Sequence, residues 1–455
     1  MKKYTYILIA ILSASLLVGC EGFLDERPNK SRLIPDSLDD LRALLDNEDE
    51  LNRIPALGII GSDDMLTNDN GYNFYFTPTA INGYIWNEDI FEGSPSIDWS
   101  FPYRSIFIAN VVMERLDFLV GEGRYTEEEV AEVRGMALFF RAHSHFNLAQ
   151  YFAKPYQPAT APSDLGVPLR IDTRIQEPSP RRTVEEVYAL VLEDLAQSME
   201  MLPEWQPIRT RPSKRAAEAM LARVYLTMQN YEQAETYADR VLASGSFHLL
   251  DYNDLNPSAN YPFAPYNEEV IFHAGQTSHE FNVADPSTFI HPDIFESYTD
   301  NDLRRGLYGR PRALGYNFKG NYTGTLFYFG GIALDEMYFI AAESKVRNGD
   351  STEGIRILNQ ILETRFETGT FEPVSVTSDE EALDLVMFEK RRSLLFRGVN
   401  WLDLRRLNLD PRTARVLTRE VNGVTYTLEP NSNRYVYPIP VEELNLNPIE
   451  QNIRN

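Results

Sequence analysis

The sequence predicts an all-α protein, a superhelical scaffold of tetratricopeptide-type helical hairpins carrying two loop-rich insertions. Three observations lead there. Several long stretches repeat apolar residues at helical spacing. Two segments form hairpins with small residues in matching registers. Two others, rich in Gly, Pro, Asn and aromatic residues, break the periodicity.

In chain order, Leu38, Leu41, Leu44 and Leu45 share one helical face after Ser37. Residues 56–103 then lack sustained periodicity and include the run Tyr72-Asn73-Phe74-Tyr75-Phe76. A long helix starts at Thr126, whose capping box with Glu129 satisfies free amides of the first turn. It continues through Val130, Val133, Ala137, Phe140 and Ser144 until Lys154-Pro155. The Thr183/Glu186 pair opens a second, which passes Val187, Leu190 and Leu195 and ends before Pro203. The first hairpin spans Ser213 to Ser244, with Ala216, Ala222, Tyr225, Ala234 and Ala238 in register and a break at Gln229-Asn230. The second spans Ala333 to Phe366, with Ala341, Ala342, Gly354, Leu358 and Ile361 in the same registers and Gly349-Asp350 as its turn. Each hairpin needs stacked neighbours to bury its other face, which is what builds a superhelix. Residues 246–330 form the second irregular stretch, with Tyr261-Pro262-Phe263-Ala264-Pro265-Tyr266 and Tyr316-Asn317-Phe318. Long loops that rich in aromatics read as ordered, functional surfaces. The expected organisation is helical scaffold over about 37–55, 104–245 and 331–455, with insertions over about 56–103 and 246–330, in one domain from residue 37 to 455.

The N-terminus sets the compartment. Lys2 and Lys3 precede an apolar run from Tyr4 to Leu17, then Val18-Gly19 and Cys20, the only cysteine. A basic start, a short apolar segment and small residues at the exit make a secretory signal peptide over residues 1–19. The run is shorter than the roughly 20 residues a membrane-spanning helix needs. Leu17-Val18-Gly19-Cys20 resembles the lipobox of bacterial lipoproteins, in which the cysteine becomes residue one and carries lipid. Two or more acyl chains anchor a protein stably to a bilayer. Residues 20–36, with Pro28, Asn29 and Pro35, read as the tether from that lipid. With Cys20 lipidated no disulfide is available, and the fold must stand on its core.

Composition excludes some functions. Losing Lys2 and Lys3 with no acid takes the net charge from −24 to −26, which repels phosphate backbones, so no nucleic-acid partner is expected. No phosphate-binding glycine loop and no Gly-x-Ser-x-Gly elbow occurs. His143 and His145, two apart on a helix, face different ways and read as packing residues rather than metal ligands. His279-Glu280 lacks the second histidine of a zinc protease. Asp63-Asp64 and Asn68-Asp69-Asn70-Gly71 suggest a calcium loop, but Leu66 and Thr77 stand where its first and last ligands belong, and a surface turn is expected instead. No cofactor and no metal is expected. A glycosidase, whose two carboxylates have no local signature, stays open at this point.

The whole chain resembles the SusD/RagB family of outer-membrane nutrient-binding lipoproteins of Bacteroidetes. Six segments carry the likeness: Phe23-Leu24-Asp25 after the cysteine; Tyr103-Arg104-Ser105-Ile106 to Asn110; Glu132-Val133-Arg134 with Phe140-Arg141-Ala142 and Phe146-Asn147-Leu148; and Lys214-Arg215-Ala216-Ala217 to Tyr225-Leu226. The fifth is Glu389-Lys390-Arg391-Arg392, Phe396-Arg397-Gly398 and Trp401-Leu402-Asp403-Leu404-Arg405-Arg406. The sixth is Tyr437-Pro438-Ile439-Pro440 with Glu443-Leu444, Asn447-Pro448 and Gln451-Asn452. Arg397, where the family usually has Glu, and Asn400, where it often has Arg, depart from the pattern, as do Gly135-Met136. The resemblance implies a SusD-like fold and no catalysis. It also implies a surface protein that binds glycan, or in some members peptide, and acts as a lid on a SusC-like TonB-dependent transporter. The arginines of the fifth segment are expected to bridge carboxylates or carbonyls at helix ends, and Trp401 to be core.

In the family the irregular insertions build the site. Sugars present flat C–H faces ringed by hydroxyls, so exposed aromatics flanked by polar side chains are the natural receptors. The candidates are Tyr72, Asn73, Phe74, Tyr75, Tyr84 and Trp86 in the first insertion. In the second they are Tyr261, Tyr266, Tyr316, Asn317, Phe318 and Tyr322, with Asn321 as a further polar partner. Each ring could equally pack its own loop. The expected function is capture of an oligosaccharide at the outer membrane, held there by lipid on Cys20. A peptide binder, a surface glycoside hydrolase and a passive helical adaptor are the alternatives.

Replacing Cys20 by serine removes the lipid anchor and no disulfide, so Cys20→Ser should release a folded protein from the membrane fraction. Cell fractionation with circular dichroism of the released chain checks this.

Overall fold

The computed structural model describes residues 35–455. The signal peptide, Cys20 and all but the last two residues of the expected tether lie outside the described residues. Ten helices make the scaffold: α1 (Leu38–Leu45), α2 (Ile97–Gly121), α3 (Glu127–Phe152), α4 (Val184–Met201), α5 (Lys214–Thr227), α6 (Tyr231–Ala243), α7 (Leu334–Arg347), α8 (Ser351–Glu363), α9 (Asp379–Ser393) and α10 (Val399–Leu407). From α2 to α9 each helix packs on the next in the chain, and α6 packs on α7 across the whole second insertion. This is the expected superhelix. No helix among the described residues is long and apolar enough to cross a membrane.

Local chemistry explains the helix boundaries. Thr126 and Thr183 form the two expected capping boxes, and Ser37 a third with Asp40. Gln229 (φ +60°) and Gly349 (φ +92°) turn the two hairpins, which Asn230 and Asp350 restart as N-caps. In the second hairpin a Cβ on Gly354 would lie 2.6 Å from Val346 Cγ2 and 2.8 Å from the Ala342 carbonyl. Only glycine allows α7 and α8 to approach that closely.

The C-terminal arginines bind the parts together. Arg405 donates to the carbonyls of Ala149, Gln150 and Ala153, satisfying the free end of α3. Arg406 donates to both oxygens of the fully buried Glu343 at 2.7 and 2.6 Å, and Arg347 adds a bond of 2.9 Å. Arg392 reaches Asp302 in the second insertion at 2.7 Å, and Arg391 reaches Asp63 in the first at 2.6 Å. The departure Arg397 donates to Asp335 at 2.7 Å and lies over the Tyr322 ring. Trp401 is fully buried, as expected.

The insertions are more structured than their sequence indicates. Residues 56–103 contain the short helices Leu57–Gly61, Asp69–Phe74 and Pro78–Tyr84, and α2 begins inside them at Ile97. Five to seven residues are too few for helical periodicity to register. One strand pair joins the insertions, Met65–Leu66 antiparallel to Phe289–Ile290, and just ahead of the first insertion Arg53–Ile54 runs parallel to Gly275–Gln276 of the second. The insertions share a second hydrophobic core, largely aromatic, that includes Tyr84, Tyr252, Phe263, Phe295, Tyr308 and Tyr322. The C-terminal part also holds an unexpected hairpin, Leu417–Val421 with Val424–Leu428, turned by Asn422-Gly423 with both residues at positive φ.

His143 and His145 are buried, and burial, reinforced by Arg223 and Arg141 respectively, pushes each imidazole down to about 3. They are packing residues. Asp63-Asp64 is not a surface turn. Asp64 is fully buried and accepts from Phe396 N at 3.1 Å and Asn400 Nδ2 at 2.7 Å, so the departure Asn400 serves this pair. Burial, and then the charge of Asp63, pushes the Asp64 carboxyl up to about 7. For Asp63 burial acts the same way but is outweighed by Arg391 and Arg415, which bring it down to about 2.

An acid whose folded pKa lies above its unfolded value gives full stability below the unfolded pKa and loses it as pH rises through the folded one. Asp64 therefore costs stability progressively from about pH 4 to about pH 7. The unfolding free energy of Asp64→Asn relative to the parent should shift in the variant's favour by on the order of 4 kcal/mol across that window. Denaturant titrations at pH 4, 6 and 8 measure it, and a constant difference would contradict the burial of a titrating Asp64.

Candidate ligand-binding cleft

The structure divides the twelve candidate residues. Tyr75, Tyr84, Trp86, Asn317, Phe318 and Tyr322 are buried and present no face to a ligand. Trp86 Nε1 donates to Gly61 O at 2.8 Å, and the Arg419 guanidinium lies 4.1 and 4.4 Å from the ring centres of Tyr84 and Trp86. Phe318 stacks on Phe396 at 4.7 Å, Asn317 donates to Thr288 O at 2.6 Å, and Tyr322 donates to Glu269. Asn321 is likewise buried. The reason is shared: insertions with little regular sheet bury area through large rings.

Tyr72 is half-buried against Tyr75 and Tyr84. Asn73 exchanges hydrogen bonds with Asn422 at 3.1 and 3.0 Å, which ties its helix to the C-terminal hairpin. Tyr316 lies half-buried, stacked on Phe295 at 3.7 Å, beside a cavity of about 640 Å³ that also takes in Asn253, Arg305 and Lys319. Phe74, Tyr261 and Tyr266 are exposed, and Tyr266 leans on His273.

The two insertions meet in a cleft of about 740 Å³, a size typical of small-ligand sites. One wall carries Phe76, Thr77 and Pro78, another Ser94, Pro95 and Ile97, and the third Ser278 to Glu280 with Asn282 and Asp285. The Phe76 ring is 79% exposed, a bare apolar face at the rim. Glu280 holds it there, accepting from Phe76 N at 2.7 Å and from Thr77 Oγ1 at 2.5 Å across the insertions. Beneath, the fully buried Asp98 accepts from Ala56 N at 2.8 Å and Thr277 Oγ1 at 2.6 Å and pairs with His279 Nε2 at 2.8 Å. Burial pushes the Asp98 carboxyl up, but His279 and these donors outweigh it and hold it below the usual carboxylate range. His279 also stacks on Phe281 at 5.0 Å, so the floor is rigid. The cleft offers a stacking face, hydroxyls, an amide and carboxylate acceptors, a set suited to a polyol.

Sequence reasoning missed most of this cleft. Phe76 stands in the quoted aromatic run but outside the candidates, and His279-Glu280 figured only as a failed zinc motif. The one available signal was the alternation Phe74-Tyr75-Phe76, in which the middle ring turns inward.

Residues 22–226 match a family model described as "Starch-binding associating with outer membrane", and residues 334–453 match the SusD family model. The chain belongs to the SusD/RagB family. The SusD-like protein P2 of Formosa agariphila is 25% identical, over 98% of this chain and 97% of that protein. A SusD superfamily protein from Bacteroides fragilis shares the fold with a TM-score of 0.74 at 20% identity, covering 91% of this chain and 99% of that one. A SusD-like carbohydrate binding protein from Bacteroides vulgatus does so with a TM-score of 0.67 at 19% identity, covering 90% and 97%. The expected fold class is thus the SusD-like one.

The burial pattern separates scaffold rings from available ones. Trp86→Ala should cost about 3–5 kcal/mol of stability, whereas Phe76→Ala should stay within about 0.5 kcal/mol of the parent. Chemical denaturation of both variants tests the division.

Proposed function

We propose that this SusD-family protein is a non-catalytic glycan receptor of the outer membrane. Lipid on Cys20 anchors it, and it passes captured oligosaccharide to a SusC-like TonB-dependent transporter. The observation that carries this reading is the exposed Phe76 ring at the mouth of a hydroxyl- and carboxylate-lined cleft where the insertions meet. Stacking on a ring supplies affinity for a sugar face, and the surrounding polar groups supply orientation. Relatives support it: one family model is described by starch binding at the outer membrane, and one solved structure of the same fold as carbohydrate-binding.

The same geometry favours binding over hydrolysis. Glu280 is taken up by Phe76 and Thr77, and Asp285 accepts from Ser287 N at 2.9 Å and from Thr288 Oγ1. A glycosidase needs two carboxyls free to act on the glycosidic bond and on water or the sugar carbon. The open cleft also suits release into a partner beneath.

Affinity electrophoresis against a glycan panel, followed by titration calorimetry with the tightest ligand, tests the proposal. Phe76→Ala should weaken binding by about fivefold or more, corresponding to roughly 1 kcal/mol of stacking. The bound glycan should be recovered intact after hours. Undiminished binding by the variant, or cleaved product in excess of protein, would overturn the reading.

A further inference from the structure

We infer that the cleft accepts glycans without anionic groups, and that Glu280 and Asp285 turn uronate- and sulfate-bearing chains away. This rests on the reading of the cleft as a glycan site and narrows it to a ligand class.

The charges lining the cleft are lopsided. Glu280 and Asp285 face it, no lysine or arginine lines it, and His279 is engaged with Asp98 at 2.8 Å. The groups hydrogen-bonded to the two carboxylates are neutral: Phe76 N, Thr77 N and Thr77 Oγ1 on Glu280, and Ser287 N and Thr288 Oγ1 on Asp285. Such donors orient a carboxylate without cancelling its charge. A sugar carboxylate or sulfate entering here would shed water beside two like charges and meet no guanidinium or ammonium.

The protein does not lack cations. It has 43 lysines and arginines and uses several of them to hold carboxylates indoors, as Arg391 and Arg415 hold Asp63 and Arg406 holds Glu343. Arg305 and Lys319 line the other large cavity, beside Tyr316. Their absence from the Phe76 cleft is therefore local. A neutral sugar fits the same surface, because its hydroxyls donate to Glu280 and Asp285 while its C–H face covers Phe76. The strongly negative net charge, −24 for the whole sequence and −26 without Lys2 and Lys3, adds a long-range repulsion of polyanions that salt screens.

The mature full-length protein is titrated, at physiological salt, with neutral oligosaccharides (α-glucan, β-glucan, mannan and xylan) and anionic ones (oligogalacturonate, alginate and chondroitin sulfate). Phe76→Ala is run beside it to locate binding. The expected result is Phe76-dependent binding of at least one neutral glycan, with every anionic glycan at least about tenfold weaker. An anionic glycan that binds as tightly as any neutral one, and loses that binding in Phe76→Ala, overturns the inference and leaves the receptor reading standing. Absence of any Phe76-dependent glycan binding overturns the receptor reading and the inference with it.

Discussion

Four arginines in two adjacent helices hold this structure together. Arg391, Arg392, Arg405 and Arg406 reach respectively the first insertion, the second insertion, the end of α3 and the buried Glu343 of α7. A buried carboxylate left without its partner is far more costly than one never buried. Each contact therefore admits one arrangement of insertion against scaffold and penalises the others. Guanidinium suits the task because its planar fork serves a carboxylate and a carbonyl from the same side chain.

That constraint has a functional consequence. The insertions have few strand hydrogen bonds between them, so their relative position depends on the aromatic core and on the charges fixed by α9 and α10. The Phe76 cleft lies on the seam where they meet, and Glu280 crosses that seam to hold its rim. A seam locked from below keeps Phe76 and the polar groups opposite it in register without a ligand. Such pre-organisation lowers the ordering cost that any ligand entering the cleft would meet.

What could be read in advance followed from locality. Thr126/Glu129 and Thr183/Glu186 act within one turn, and the hairpin registers repeat within one supersecondary unit, so neither depends on distant chain. The family-like segment from Glu389 to Arg406 was legible as a bridging cluster because its charges are dense and helical, although its partners could not be named. The failures were of a different kind. The Asn422-Gly423 turn lies between two five-residue strands in a segment expected to be helical, and so short a hairpin gives only a local signal. Asp63-Asp64 looked like a turn because two adjacent acids are normally solvated, and only Arg391, Arg415 and Asn400, more than three hundred residues away, make their burial tolerable.

The sequence by itself determined the helical scaffold, its hairpin turns and the two regions that depart from it, because capping, periodicity and small-residue registers are properties of short stretches. Only the tertiary structure decided which aromatics are exposed. Tyr84, Trp86, Phe318 and Tyr322 have the same composition and surroundings in sequence as Phe74 and Phe76, yet they close a core while the latter face solvent. The difference comes from Arg419, Phe396 and Glu269, distant residues that cover or hydrogen-bond the buried rings. Burial of a ring is set by what arrives opposite it, and no local pattern carries that information.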